Sequence, residues 1–154
     1  MTWSPDSSTT GGAQTGFTTP TFTLVSTVAP AVNAVSKAVS AVSGTATATA
    51  NSASSPFTVS FWVPLVYKAL SSVWNSVKGL FGTVPNNQYK IIFRKGGLAA
   101  AGVPVTAVAR ITFDIPAGME TYNPDEVRAL VSFMVGILNE ESADVADTLV
   151  TGVL

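Results

Sequence analysis

The chain has 154 residues, enough for one domain with its own core. It carries neither cysteine nor histidine, which excludes disulfides, thiolate metal sites and the commonest general base and metal ligand. Eight cations and nine acids leave a net charge of -1, and with so few charges and a mean hydropathy of +0.40 a lone monomer would be poorly solvated, so self-association is the expected remedy.

The small total conceals a segregation of charge. Residues 1–64 hold Asp6 and Lys37 and sum to zero, while residues 65–110 hold Lys68, Lys78, Lys90, Arg94, Lys95 and Arg110 with no acid. Residues 111–154 hold Asp114, Glu120, Asp125, Glu126, Glu140, Glu141, Asp144 and Asp147 against Arg128 alone. Two arrangements fit. Either the two sets solvate separate faces and attract within the fold, or a basic sheet face meets a polyanion while acidic helices face outward. No stretch reads as a membrane span, since the nearest, Phe57–Tyr67, is too short and is closed by Lys68. The N-terminus lacks a basic region followed by an apolar core, so no secretory leader is expected and the cytoplasm is the expected site of synthesis.

In chain order, residues 1–16 are rich in Ser, Thr and Gly with little to bury, and read as a flexible arm ahead of a single domain over 17–154. Thr21–Val28 reads as a strand. Ala31–Ser43 places Val32, Val35, Val39 and Val42 three, four and three apart, a helical stripe written in residues that prefer strands, and a short helix is expected. Thr45–Ala50 alternates strictly and is expected as a weak strand, Phe57–Val63 as a stronger one stopped by Pro64. Leu65–Phe81 sets Leu70, Val73, Trp74, Val77 and Phe81 on one face, which predicts an amphipathic helix that covers a sheet or a subunit contact, or else lies on a membrane surface.

A turn cluster at Gly82–Asn87 precedes Gln88–Lys95, a strand in which Lys90, Ile92 and Arg94 point one way and Tyr89, Ile91, Phe93 and Lys95 the other. Gly96–Pro104 reads as a flexible loop of small residues. Arg110–Ile115 alternates again, and if it pairs antiparallel with Gln88–Lys95 about that loop, Lys90 and Arg94 share a face with Arg110 and Thr112. Asn123 suits an N-cap, Pro124 the first helical position, and Asp125 and Glu126 complement the positive helix end. From there Val127, Leu130, Val131, Met134, Ile137 and Leu138 recur at helical spacing, a ridge that must lie on something. A second helix is expected from Asn139–Glu141 onward, with Ala143, Ala146, Leu149 and Val150 as its stripe. The plan is α+β: an antiparallel sheet of about five strands followed by two C-terminal helices, with additional helical segments in the N-terminal half.

The run ITFDIPAGMETYNPDEVRALVSFMVGILNEESADVADTLVTGVL, preceded by FRKGGLAAAGVPV, resembles the coat proteins of single-stranded RNA bacteriophages, the levivirus-like group, over about residues 88–154. The likeness lies in order and spacing: a last strand ending in Ile-Pro, a short polar turn, a long amphipathic helix, a break and a second short helix. It implies a homodimer in which the helices of one subunit cross the partner's sheet, so that Val127, Leu130, Val131, Met134 and Leu138 pack between subunits. It implies an icosahedral shell of such dimers, assembled in the bacterial host cytoplasm as part of the virion, with Gly96, Gly97, Gly102 and Pro104 in a loop at the symmetry axes. It further implies an inner sheet face that contacts genomic RNA and binds an operator hairpin, repressing replicase translation. Lys90, Arg94, Arg110 and Thr112 are placed on that face, and Lys95 by strand parity points away. Family members usually open with a short β-hairpin, whereas this chain opens with a loose tail and carries the helix-like segments Ala31–Ser43 and Leu65–Phe81.

Catalysis finds little support. There is no Gly-rich phosphate loop with Lys-Ser or Lys-Thr, no Ser three residues before a Lys, and no histidine for a triad. Glu140 and Glu141 suit a helix's first turn, and Asp144 and Asp147 its polar face, which accounts for them without metal or acid–base chemistry. No cofactor, metal or small-molecule substrate is expected. Two readings remain: a shell protein that packages single-stranded RNA, and a self-assembling structural protein of a phage tail or surface layer that binds no nucleic acid.

Overall fold

The structure, a computed structural model, describes residues 3–45, 48–70, 74–76 and 79–153. Its elements are β1 (Ser8–Thr10), β2 (Thr21–Thr27), β3 (Ala34–Ser43), β4 (Phe57–Trp62), β5 (Trp74–Asn75), β6 (Leu80–Phe81), β7 (Asn86–Ala100), β8 (Val103–Pro116), α1 (Met119–Tyr122), α2 (Pro124–Glu140) and α3 (Ser142–Thr151). Six strands form one antiparallel sheet in the order β1-β2-β3-β4-β7-β8, and β5 and β6 pair separately. The α+β plan with C-terminal helices is therefore correct, with one more strand in the main sheet than the sequence suggests.

Four expectations fail, each for a physical reason. Ala31–Ser43 is not a helix: residues 34–43 are β3, paired on both sides. Thr23 opposes Ala41 while Leu24 opposes Val39, so Ser40 is an extra residue in a bulge. The bulge returns Val42 to the face of Val35 and Val39, and three-residue spacing arises within a strand. Leu65–Phe81 is not a helix over its described residues either. Trp74–Asn75 pairs with Leu80–Phe81, and Gly79, at φ 61°, donates its N–H to the Asn75 carbonyl at 2.9 Å and closes the turn. Thr45–Ala50 is irregular at 48–50, and its residues 46 and 47 lie outside those described, as do 71–73, 77 and 78 of the expected helix. Gly96–Pro104 is not a loose loop. The β7–β8 ladder runs from Asn86↔Pro116 to Ala100↔Val103 and turns at Ala101 and Gly102, the latter at φ 75°.

The expected arm also has structure. Residues 8–10 are the edge strand β1, and ahead of them the Trp3 ring stacks on Phe61 with centroids 5.6 Å apart. At the opposite edge, β8 has no outer neighbour in the sheet, which suits Pro104, a residue without an N–H to offer a further strand. Gly118, at φ 95°, turns the chain into α1, and Asn123 stands at the N-cap of α2 but makes no side-chain capping bond. Seventeen residues make α2 about 25 Å long. It carries the chain from the β8 edge to α3, where Asp147 accepts a hydrogen bond from Thr15 in the loop after β1 at 3.0 Å.

The core is sparse. Among the described residues the buried apolar side chains are Ala34, Ala38, Val39, Ile115 and Ala117, and no residue of any helix is buried. The chain exposes 10483 Å². A compact monomer of 15.9 kDa would expose about 7,400 Å², so roughly 3,000 Å² is in excess.

Packing around β7 gives a sharp contrast. A methyl group on Gly96 would lie 2.5 Å from the Ser55 Cα, whereas one on Gly97 meets nothing within 4 Å. Gly96→Ala is expected to lower stability by about 1–3 kcal/mol and Gly97→Ala to change it by less than about 0.5 kcal/mol, measured by denaturant melts of the two variants. Equal melts would contradict the close approach of residues 55 and 96.

Candidate nucleic-acid interface

Residues directly opposite in an antiparallel ladder share a face, so the register sorts the sheet into two surfaces. Lys90 opposes Thr112, Ile92 opposes Arg110 and Arg94 opposes Val108. On the other side of β7, Trp62, Ser60 and Thr58 face Lys90, Ile92 and Arg94, and next to them come Ala34, Ser36 and Ala38. All four residues expected on the RNA side, Lys90, Arg94, Arg110 and Thr112, thus lie on one surface, a floor of small and hydroxyl side chains with the cations toward the β8 edge.

The middle of the floor is made of small side chains. Ser60 is 1% exposed, its hydroxyl 3.2 Å from that of Ser36, which also reaches the Val59 carbonyl at 3.2 Å. Lys90 and Arg110 are exposed and Arg94 half-buried, and no described residue forms an ion pair or hydrogen bond with their side chains. Asp114 is the acid on this surface, near the end of β8, and Gln88 donates to it at 2.9 Å. The one ion pair among the described residues joins Arg128 to Asp125 within α2 at 2.6 Å, fully on the surface. Among the described residues no ion pair joins the basic middle of the chain to its acidic end. No group of acids among the described residues is placed to hold a metal.

The opposite surface is apolar. Phe22, Leu24, Val39, Phe57, Val59, Ile91 and Phe93, with Trp3 across them, line an open groove of about 340 Å³. Phe22 and Phe57 meet edge to face at 5.7 Å. Lys95 belongs to this side, as its parity requires: its ammonium sits 5.0 Å from the centre of the Phe57 ring and donates to the Gly96 carbonyl and the Thr49 hydroxyl. Even so Phe93 and Val35 stay 43% and 47% exposed. The ridge on α2 is no better covered: Leu130 is 51% exposed, Val131 38% and Leu138 44%, with Val127 and Met134 half-buried. Gly96 and Gly97 lie in the ladder opposite Thr106 and Val105, Pro104 opposes Leu98, and Gly102 is in the turn. Beyond Lys95, where β4 stops pairing, the hairpin continues as a two-stranded ribbon.

Sequence reasoning missed Ser36, Ser60 and Trp62 on the floor and Trp3 on the apolar side. A signal existed for Trp62: in FTVSFWV it shares parity with Thr58 and Ser60, one large ring on an otherwise polar face.

Comparison with known proteins agrees with this architecture. No family model and no curated protein matches the chain. Among solved structures, the chain is 39% identical to the subunit of the virus-like particle of bacteriophage ESE020, covering 99% of this chain and 100% of that one with a TM-score of 0.93. The subunit of the virus-like particle of bacteriophage GQ-907 shares the fold, with 15% identity over 98% of this chain and 92% of that one and a TM-score of 0.51. Proteins of this kind are structural and not enzymes. The chain belongs to the family of bacteriophage coat proteins that form virus-like particles.

Proposed function

We propose that this chain is the coat subunit of a single-stranded RNA phage, that it pairs as a homodimer, and that the dimers close into an icosahedral shell around the genome. The observation that carries the RNA reading is the floor itself: Lys90, Arg94 and Arg110 share one face with Thr112, free of acidic partners, while most of the acids stand on the helices. A few phosphate contacts per subunit are individually weak and salt-dependent, and repetition over a shell multiplies them. The same floor is where an operator hairpin would dock in translational repression.

The dimer reading rests on area. About 3,000 Å² of excess surface lies in the range that an obligate homodimer buries, and the apolar groove and the α2 ridge are the two surfaces a second copy can cover. Val127, Leu130, Val131, Met134 and Leu138 of one subunit then lie on the sheet of the other. The ribbon beyond Lys95, with Gly96, Gly97, Gly102 and Pro104, reaches neighbours at the symmetry axes, since two strands alone are weakly stable without support. Assembly takes place in the bacterial cytoplasm and the product is the virion.

Two substitutions separate these readings. Arg110→Ala is expected to leave particles intact while lowering their RNA content and reducing the salt slope of RNA binding by about one unit. Absorbance at 260 and 280 nm across a salt series measures both, and unchanged nucleic acid would remove Arg110 from the interface. Leu130→Asp places a charge at the proposed contact between subunits, so sedimentation should show no particles. Normal particles from that variant would refute a contact between subunits at α2.

A further inference from the structure

The apolar groove is not walled by the sheet alone. Trp3, Pro5 and Thr9 line it together with side chains of β2, β3, β4 and β7, so whatever fills the groove touches the N-terminal segment as well as the sheet. We propose that this segment is a clamp between subunits, in which Trp3 of one chain, backed by Phe61, closes on the α2 ridge of a second copy. The proposal rests on the homodimer reading and adds to it the side chain that sets the strength of the pair.

The segment is built to hold a ring at that place. β1 is the edge strand, and just ahead of it the Ser7 carbonyl accepts the Leu24 N–H at 2.8 Å, which fixes the base of the arm beside β2. From there the chain crosses the apolar surface as far as β4, where the Trp3 ring lies 5.6 Å from that of Phe61 at an interplanar angle of 16°. Trp3 and Pro5 are half-buried while Ser4 and Asp6 are exposed, so alternate side chains of the arm turn to the sheet. Pro5 also restricts the free segment, and less conformational freedom is lost when it lies down. Stacking on Phe61 leaves part of the Trp3 side chain open in the single chain.

A segment that served only to seal the sheet of a lone chain would leave little of it open. Here Phe93, in the same groove, stays 43% exposed, and the ridge of α2 has no seat of its own. No charged side chain lines the groove among the described residues, and none stands at Val127, Leu130, Val131, Met134 or Leu138 on the ridge, so the two surfaces match in kind. Tryptophan is enriched among the side chains that anchor protein contacts, because a large rigid ring covers much area at little cost in conformational entropy. The ring that backs the groove in one chain is therefore placed to be covered by the helix of the other.

Two measurements on dimers released from particles test the clamp. The chain has no cysteine, so introduced thiols react without background, and Ser4 is exposed and can carry one while Trp3 stays in place. When Ser4→Cys chains are produced together with Val127→Cys, Val131→Cys or Leu138→Cys chains, a short bismaleimide should join residue 4 of one chain to α2 of the other, a link that can form only between subunits. In a dilution series followed by native mass spectrometry, Trp3→Ala should raise the dimer dissociation constant by about tenfold or more, and Trp3→Phe should recover most of the loss. No link to any of the three ridge positions, or a Trp3→Ala dimer as tight as the wild type, overturns the clamp and leaves the dimer standing. A tighter dimer from Trp3→Ala overturns it too, since the arm would then compete with the partner's helix. Folded single chains at micromolar concentration overturn the clamp and the dimer together.

Discussion

One chain of this protein presents two apolar surfaces and covers neither. The ridge of α2 and the groove on one side of the sheet are both open, in a subunit whose surface exceeds that of a compact monomer of its mass. Burial of apolar surface is the main favourable term in folding and association, so this geometry moves part of the stabilisation out of the single chain and into its contacts. The small interior follows from the same division: Ala34, Ala38, Val39, Ile115 and Ala117 are too few to hold a free-standing domain of this length.

The two sheet surfaces differ in kind. Strand parity puts Lys95 among the aromatics, where the Phe57 ring and two oxygens hold its charge, and leaves Lys90, Arg94 and Arg110 on the polar side without partners among the described residues. The acids of α2 and α3 are not drawn into pairs with that floor, and the ion pair found on α2 is a local one between Asp125 and Arg128. Among the described residues the cations of the floor make no ion pair within the subunit. Trp62 stands at the end of the same floor, beside the segment after Val63.

The C-terminal half is legible in the sequence because its signals agree. Alternation over Arg110–Ile115, proline at the start of α2 and helical spacing from Val127 to Leu138 all point to elements that are present. The same alternation put Lys90, Arg94, Arg110 and Thr112 on one surface, and the register agrees. The N-terminal half is hard to read where a local irregularity imitates another period. One bulged residue, Ser40, turned a strand's valines into a helical pattern, and the turn at Gly79 broke an apolar stripe that looked continuous over 65–81. The β7–β8 ribbon was hidden by composition, since a run of glycine and alanine carries no alternation even when most of it lies in a ladder. Trp3 was passed over because a single ring in a polar tail has no period at all.

The central claim is that the α2 ridge and the apolar sheet surface are completed by a second copy, and native mass spectrometry of gently dissociated particles tests it most directly. The account predicts that the smallest folded species has twice the 15.9 kDa mass of the chain. A folded species of single-chain mass, stable at micromolar concentration, would contradict it.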